Sequence, residues 1–335
     1  MAVLLVLVHH SPGDEGRLLK AGWTGVDLFF VLSGFLVSGL LFKEHLRSGR
    51  IRPGRFYLRR GLKIYPNFYT MLAVTSAALA LAHVVVRPWN VVHEALFVQN
   101  YLPVAWWGRE HAWSLAIEEH FYFLLPPALI LLLRWAPFRR APVRWAAILA
   151  ATLGTAALAV RWAMVRSGAE ASDVLFLTHT RLDALAFGVL LSVVWHFTPG
   201  RIGTVRRLRW VLLPIGLLVT LPCYLLSNEH PFVLTLGLTL NYLGYGMVLA
   251  AALTLPRMLP NPLGPVLARL GFYSYSIYLW HLPLLAVVRN GVGEGALAAA
   301  AFYVGSIVAG VAMARLVEIP ALRLRERLIP AEPAS

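Results

Sequence analysis

Thr24–Phe42 reads TGVDLFFVLSGFLVSGLLF, nineteen residues with a single charge, Asp27. That is the length an α-helix needs to cross a hydrocarbon core of about 30 Å at 1.5 Å per residue. The pattern repeats outward in both directions. Apolar runs occupy 1–10, 24–42, 65–86, 113–133, 145–165, 175–197, 210–227, 232–255, 270–288 and 296–317. Of the 335 residues, 59% are hydrophobic and 14% are charged, and the mean hydropathy is +0.67. A soluble domain has roughly a quarter of its residues charged. The expected fold is an all-α integral membrane protein, a bundle of about ten transmembrane helices. Too few apolar residues follow Met1 for a full crossing, and no basic n-region or small-residue cleavage site marks a signal peptide. Either the first helix is truncated or the reading frame starts upstream.

A net charge of +14 invites a nucleic-acid reading, but its distribution argues for a membrane. Segments 43–64, 134–144, 198–209, 256–269 and 315–335 hold 22 of the 30 Lys and Arg, and they alternate with poorly charged connections. This is the positive-inside asymmetry, and it places both termini in the cytoplasm. Basic loops beside a membrane serve topology and anionic lipid, so membrane lipid is an expected partner and nucleic acid is not. The single Cys223 excludes an internal disulfide and reads as an inert small hydrophobe. Residues 1–320 form one membrane domain, followed by a short basic cytoplasmic tail, 321–335.

Ionisable groups inside apolar spans are costly, and they face a protein interior or a wet cavity. The carboxylates are Asp27, Glu118, Glu119 and Asp183; Arg181, His9, His10, His120 and His281 lie at similar depth. On the expected topology Glu118 lies about 8 Å below the outer surface. Five spans thus deliver polar groups to the outer half of the membrane or its middle. Asp27 also reads as a helix N-terminal charge, and Arg181 with Asp183 as an ion pair, although residues two apart on a helix do not face each other. Adjacent residues point about 100° apart, so only one of Glu118 and Glu119 serves a given site; Glu118 is preferred. The same holds for His9 and His10, with His9 preferred. The remaining histidines, His111 among them, read as scattered background. His9, Glu118 and His281 follow no metal-ligand spacing, and no metal is expected.

The motifs then point to a family. Gly25 to Leu36, GVDLFFVLSGFL, resembles a signature of the membrane-bound acyltransferase 3 family. So do RRGLKIYP at 59–66, WSLAIEEHFYFLLP at 113–126, RLDALAFG at 181–188 and SYSIYLWH at 274–281, in family order over nearly the whole chain. Lys63 stands where the family has an Arg, and an Arg that the family carries before its first-span histidine would precede Met1 here. Some relatives carry a C-terminal esterase-like domain, for which this chain is too short. The resemblance implies an enzyme that moves an acyl group, usually acetyl, from cytoplasmic acyl-CoA to a hydroxyl of a glycan or small molecule, often across the membrane.

That chemistry assigns roles to the residues. Arg59, Arg60 and Lys63 are expected to bind the donor's phosphates. His9 or His10 is the expected general base, with Glu118, or else Asp27, orienting the imidazole. Arg181 is expected to hold the oxyanion or the acceptor, and Tyr278 and His281 to line the thioester passage. The principal rival is a transporter or flippase using buried carboxylates as a proton relay, which would favour paired halves with broken helices. Pro126-Pro127 and Pro214 show no such pairing. A third reading is a non-catalytic membrane scaffold. A bacterial inner membrane suits the composition.

Overall fold

The computed structural model describes residues 2–13, 21–102, 110–255 and 263–330. The expectations placed on Met1, on half of segment 256–269 and on the end of the tail lie outside these residues. Among the described residues there is no strand. In hydrocarbon every backbone polar group must be satisfied within the chain, and the helix does this locally.

Ten helices fall on the ten apolar runs: α1 (Ala2–His10), α2 (Gly25–Ser48), α3 (Pro53–Leu81), α4 (Trp113–Arg134), α5 (Pro142–Arg166), α6 (Leu182–Phe197), α7 (Ile202–Leu225), α8 (Leu238–Leu253), α9 (Leu263–Gly291) and α10 (Ala296–Met313). A π-helical turn joins α10 to α11 (Ile319–Leu328). Among the described residues, seven helical stretches are by length and composition apolar enough to cross a membrane; α1, α6 and α9 are not among them.

The basic segment 43–64 is not the loop the hydropathy suggests. Gly49, in a left-handed conformation (φ 70°), ends α2 with its N–H on the His45 carbonyl at 2.8 Å, and α3 begins four residues later on Pro53. Gly after a helix and Pro in its first turn are the ordinary stop and start signals. Arg, Leu, Tyr and Lys are compatible with the helix that follows. Arg55, Arg59, Arg60 and Lys63 are therefore held on one rigid element, with Arg55, Arg59 and Lys63 four residues apart on one face.

The centre of the bundle is the crossing of α2 with α6. A Cβ on Gly34 would lie 2.1 Å from the Leu185 carbonyl oxygen, and one on Gly188 would lie 2.3 Å from that of Val31. Only glycine at both positions lets the backbones approach so closely, the packing mode that replaces hydrophobic driving force in lipid. Prolines inside helices free carbonyls four residues earlier, and side chains cover them. Pro127 frees Phe123, which accepts from the Tyr57 hydroxyl at 2.8 Å, and Pro283 frees Leu279.

Candidate active site

The glycine crossing brings Asp27, in the first turn of α2, beside Arg181, the residue preceding α6. Arg181 Nη2 donates to Asp27 Oδ1 at 2.5 Å, and Asn241 Nδ2 of α8 donates to Oδ2 at 2.6 Å. A second pair lies beside it. Arg161 Nη1 of α5 donates to Asp183 Oδ2 at 2.9 Å and to the Thr180 carbonyl at 2.6 Å, while Nη2 reaches Thr239 at 2.7 Å. All four charged residues are buried. The two pairs join α2, α5, α6 and the α8 region, and each charge is neutralised across helices. Asp27 is thus committed to Arg181 and Asn241, which removes it as an imidazole-orienting group. Arg181 and Asp183 do not pair with each other, as their spacing requires. Arg161 was visible in the sequence as an in-span charge, but it was assigned no role.

Two sets of cavities approach the centre from opposite ends. At the basic end, a cavity of about 380 Å³ is lined by Lys43, Arg47, Arg55, Arg59, Arg60 and Arg325, with one carboxylate, Glu44. It shares Val37, Arg60 and Lys63 with a deeper cavity of about 440 Å³, which runs inward past Ser33, Glu118 and Ser114 to Tyr278. At the other end, a polar recess of about 820 Å³ is lined by His9, His10, Ser11, Glu110, Arg289 and Glu294. His9 and His10 also line a small cavity of about 130 Å³, together with Trp113, Arg181 and Tyr278. Tyr278, together with Val26, lines both inner cavities and forms the partition between them. Its hydroxyl donates to the His111 carbonyl at 3.0 Å and lies 2.6 Å from the Ser114 hydroxyl.

The basic residues on α3 have specific partners. Arg60 lies over the Tyr122 ring, 4.0 Å from its centroid, and donates to the Tyr122 hydroxyl. Glu118 lines the same cavity as Ser33 and Arg60, and Tyr122, on the same face of α4, is bonded to both of them. Glu118 therefore belongs to the basic-end cavity. It lies among hydroxyls and the Arg60 guanidinium rather than beside the first-helix imidazole that the sequence reading gave it. Lys63 pairs with Glu318 of the π-turn, and Arg59 forks onto Glu326 of α11 and the Ile329 carbonyl. Arg55 reaches the Pro330 carbonyl at 2.6 Å. The helical C-terminal arm thus lies across the basic cluster.

The imidazoles gather on the other side of Tyr278. His10 Nδ1 is 3.0 Å from the Val6 carbonyl and 3.3 Å from His281 Nε2. His281 Nδ1 is 2.5 Å from the Tyr278 carbonyl. His9 packs edge-on to His10, with ring centroids 4.7 Å apart, and both line the outer cavities because they end α1. His111, read as background, is buried with its ring 4.9 Å from that of His281, and its Nε2 is 3.0 Å from the Leu279 carbonyl that Pro283 frees. The available signal was the proline inside an apolar run: it announces an unpaired carbonyl without naming the donor.

His9, His10, Arg181, Tyr278 and His281 therefore come together on one side of the partition, and Arg60, Lys63 and Glu118 on the other. Among the described residues no group of three His, Cys, Asp or Glu is arranged to hold a metal ion.

Peptidoglycan O-acetyltransferase OatA of Listeria monocytogenes is 27% identical over 314 residues, 86% of this chain and 48% of that protein. O-acetyltransferase OatA of Staphylococcus aureus is 25% identical over 319 residues, 88% and 50% respectively. The chain spans about half the length of the curated relatives it matches. No solved structure matches it. The family model described as an acyltransferase domain, acyltransferase 3, matches residues 1–315, and the chain belongs to that family.

Proposed function

We propose that the protein is a multi-pass O-acyltransferase of a bacterial inner membrane. It takes an acyl group, in the first instance acetyl, from cytoplasmic acyl-CoA and passes it to a carbohydrate hydroxyl on the outer side. The observation that carries this reading is the pair of cavities that enter from opposite ends and meet at Tyr278. The basic end is assigned to the cytoplasm by the positive-inside rule, with ten spans and both termini inside. The donor's phosphates bind the guanidinium and ammonium groups of α2 and α3 through charge-assisted bonds, and its thin arm follows the cavity past Arg60, Ser33 and Glu118. Glu118 and Tyr122 hold Arg60 at the neck of that passage. The acceptor enters the polar recess beside His9 and His10. The names of the relatives favour a cell-envelope glycan.

In the reaction, a first-helix imidazole, His10 by its contacts, takes the proton of the acceptor hydroxyl. The oxygen attacks the thioester carbonyl. Arg181 Nη1, which has no hydrogen-bond partner, and whose side chain lines the same cavity, stabilises the developing oxyanion. Collapse of the tetrahedral species breaks the carbon–sulfur bond, and the imidazolium returns its proton to the departing thiolate. Asp27 and Asn241 position Arg181 without touching the substrate. The test is purified protein in detergent with [14C]acetyl-CoA and a soluble chitooligosaccharide. Label should move to the sugar in wild type and fall at least 100-fold in Arg181→Met. Absence of transfer, with proton-coupled movement of a solute in proteoliposomes, would replace the enzyme with a transporter.

A further inference from the structure

The catalytic base proposed above needs a fixed ring and a fixed tautomer, and the carboxylates expected to provide them are engaged elsewhere. Asp27 is held by Arg181 and Asn241, and Glu118 lines the basic-end cavity with Ser33 and Arg60, which neither His9 nor His10 lines. What meets the His10 ring is another imidazole. We propose that His10 and His281 form a hydrogen-bonded imidazole pair, in which His281 is the positioning residue that holds His10 with Nδ1 protonated and Nε2 bare. The proposal rests on the acyl-transfer reading for its catalytic meaning, though the pairing itself is a statement about geometry.

The tautomers follow by elimination. A backbone carbonyl only accepts, so His281 Nδ1, 2.5 Å from the Tyr278 carbonyl, carries the hydrogen. In a neutral ring this leaves Nε2 of His281 as a lone pair. That lone pair faces His10 Nδ1 at 3.3 Å, and the same Nδ1 lies 3.0 Å from the Val6 carbonyl. Two acceptors converge on one nitrogen, so His10 Nδ1 bears the hydrogen and shares it between them. Nε2 of His10 is then the unprotonated atom, on a residue that lines both outer cavities. When Nε2 takes a proton from the acceptor, the Nδ1–H of the imidazolium becomes a stronger donor, and its bond to His281 strengthens.

His281 is suited to this because it is packed on both faces and hydrogen-bonded to the Tyr278 carbonyl. It is fully buried, and its ring is wedged between His10 and His111, with centroids 5.0 Å and 4.9 Å away. His111 is in turn held by the Leu279 carbonyl, which accepts from it because Pro283 supplies no N–H one turn later. His10, by contrast, ends α1, where the helix gives least support. An imidazole also stabilises the cation less strongly than a carboxylate does, which leaves the proton easier to return to the thiolate.

The experiment compares His281→Leu, which removes the acceptor, with His281→Gln, whose Oε1 falls near the position of Nε2. With [14C]acetyl-CoA and a soluble chitooligosaccharide, His281→Leu should lower kcat about 100-fold or more, the scale of general base catalysis. Its KM for acetyl-CoA should stay within about twofold, since the donor's phosphates bind at the far end. His281→Gln should recover to within about tenfold of wild type. Equal loss in both variants with KM retained, or near wild-type kcat in His281→Leu, overturns the pairing. Ring nitrogens read by NMR on 15N-histidine protein, with His10 assigned by its loss in His10→Ala, test the pairing independently of activity. His10 should show Nδ1–H and a bare Nε2, and this signature should change in His281→Leu. The opposite tautomer overturns the pairing, even where wild type transfers no label and the acyl-transfer reading alone has failed.

Discussion

Asp27→Asn separates charge from hydrogen bonding at the centre of the bundle. Asp27 accepts from Arg181 on one oxygen and from Asn241 on the other, at 2.5 and 2.6 Å. Asparagine keeps the shape and one oxygen, which stays on Arg181. Its NH₂ then faces Asn241, whose Oδ1 has no partner and is presented by a flip of that amide. Both hydrogen bonds survive and only the charge is lost. Two cations and two carboxylates become two cations and one carboxylate, with Arg181 only 2% exposed. Removing one partner of a buried pair costs about 3–5 kcal/mol, whereas a single hydrogen bond is worth about 1 kcal/mol. Asp27→Asn should therefore lose about 3–5 kcal/mol, close to the loss for Asp27→Ala. The double variant Asp27→Asn/Arg181→Met, with neither charge, should regain most of it while remaining inactive. Unfolding by SDS in mixed micelles, followed by tryptophan fluorescence, measures all three. A loss below about 1 kcal/mol in Asp27→Asn, with a large loss in Asp27→Ala, would refute the argument from charge.

At the helix crossing, Gly34→Ala places a Cβ against a backbone oxygen that cannot move alone. The α2–α6 contact must open by about 1 Å, costing about 1–3 kcal/mol and lowering activity, as SDS unfolding and label transfer will show. Glu326→Gln weakens the carboxylate that competes for Arg59, so steady-state kinetics should give a donor KM a few-fold lower with kcat unchanged. Raising ionic strength should increase the wild-type donor KM, because the basic cavity is open to solvent and screened; a KM indifferent to salt would count against phosphate binding there. His111→Phe keeps the ring contacts but leaves the Leu279 carbonyl without its donor, an expected loss of about 1–3 kcal/mol in the same unfolding assay.

The positions of the helices were legible because hydropathy is a local property, and the cost of Asp27 and Arg181 in lipid marked both as interior groups without naming them as each other's partner. Partners were less legible. Glu118 looked like an imidazole's carboxylate from its depth and the chemistry the resemblance implies, yet it shares a face with Tyr122 and a cavity with Arg60. His111 was overlooked because its reason for being there lies at Pro283, far along the chain, and periodicity within one helix carries no information about another helix's missing N–H. The segment 43–64 reads as a loop by charge. Its helix shows only when Pro53 is taken as a start signal and the charged residues as helix formers. The contact of the C-terminal arm with Arg55, Arg59 and Lys63 joins residues more than 250 positions apart and has no local signature.

The partition at Tyr278 has an electrical consequence. A membrane that stores energy as an ion gradient tolerates recesses from either face only while something watertight separates them. Here the wall common to the two inner cavities is formed by Val26 and the Tyr278 phenol, the latter pinned by the Ser114 hydroxyl and the His111 backbone. On the proposed topology, each unseated moment of that contact would open a leak between the two faces of the membrane.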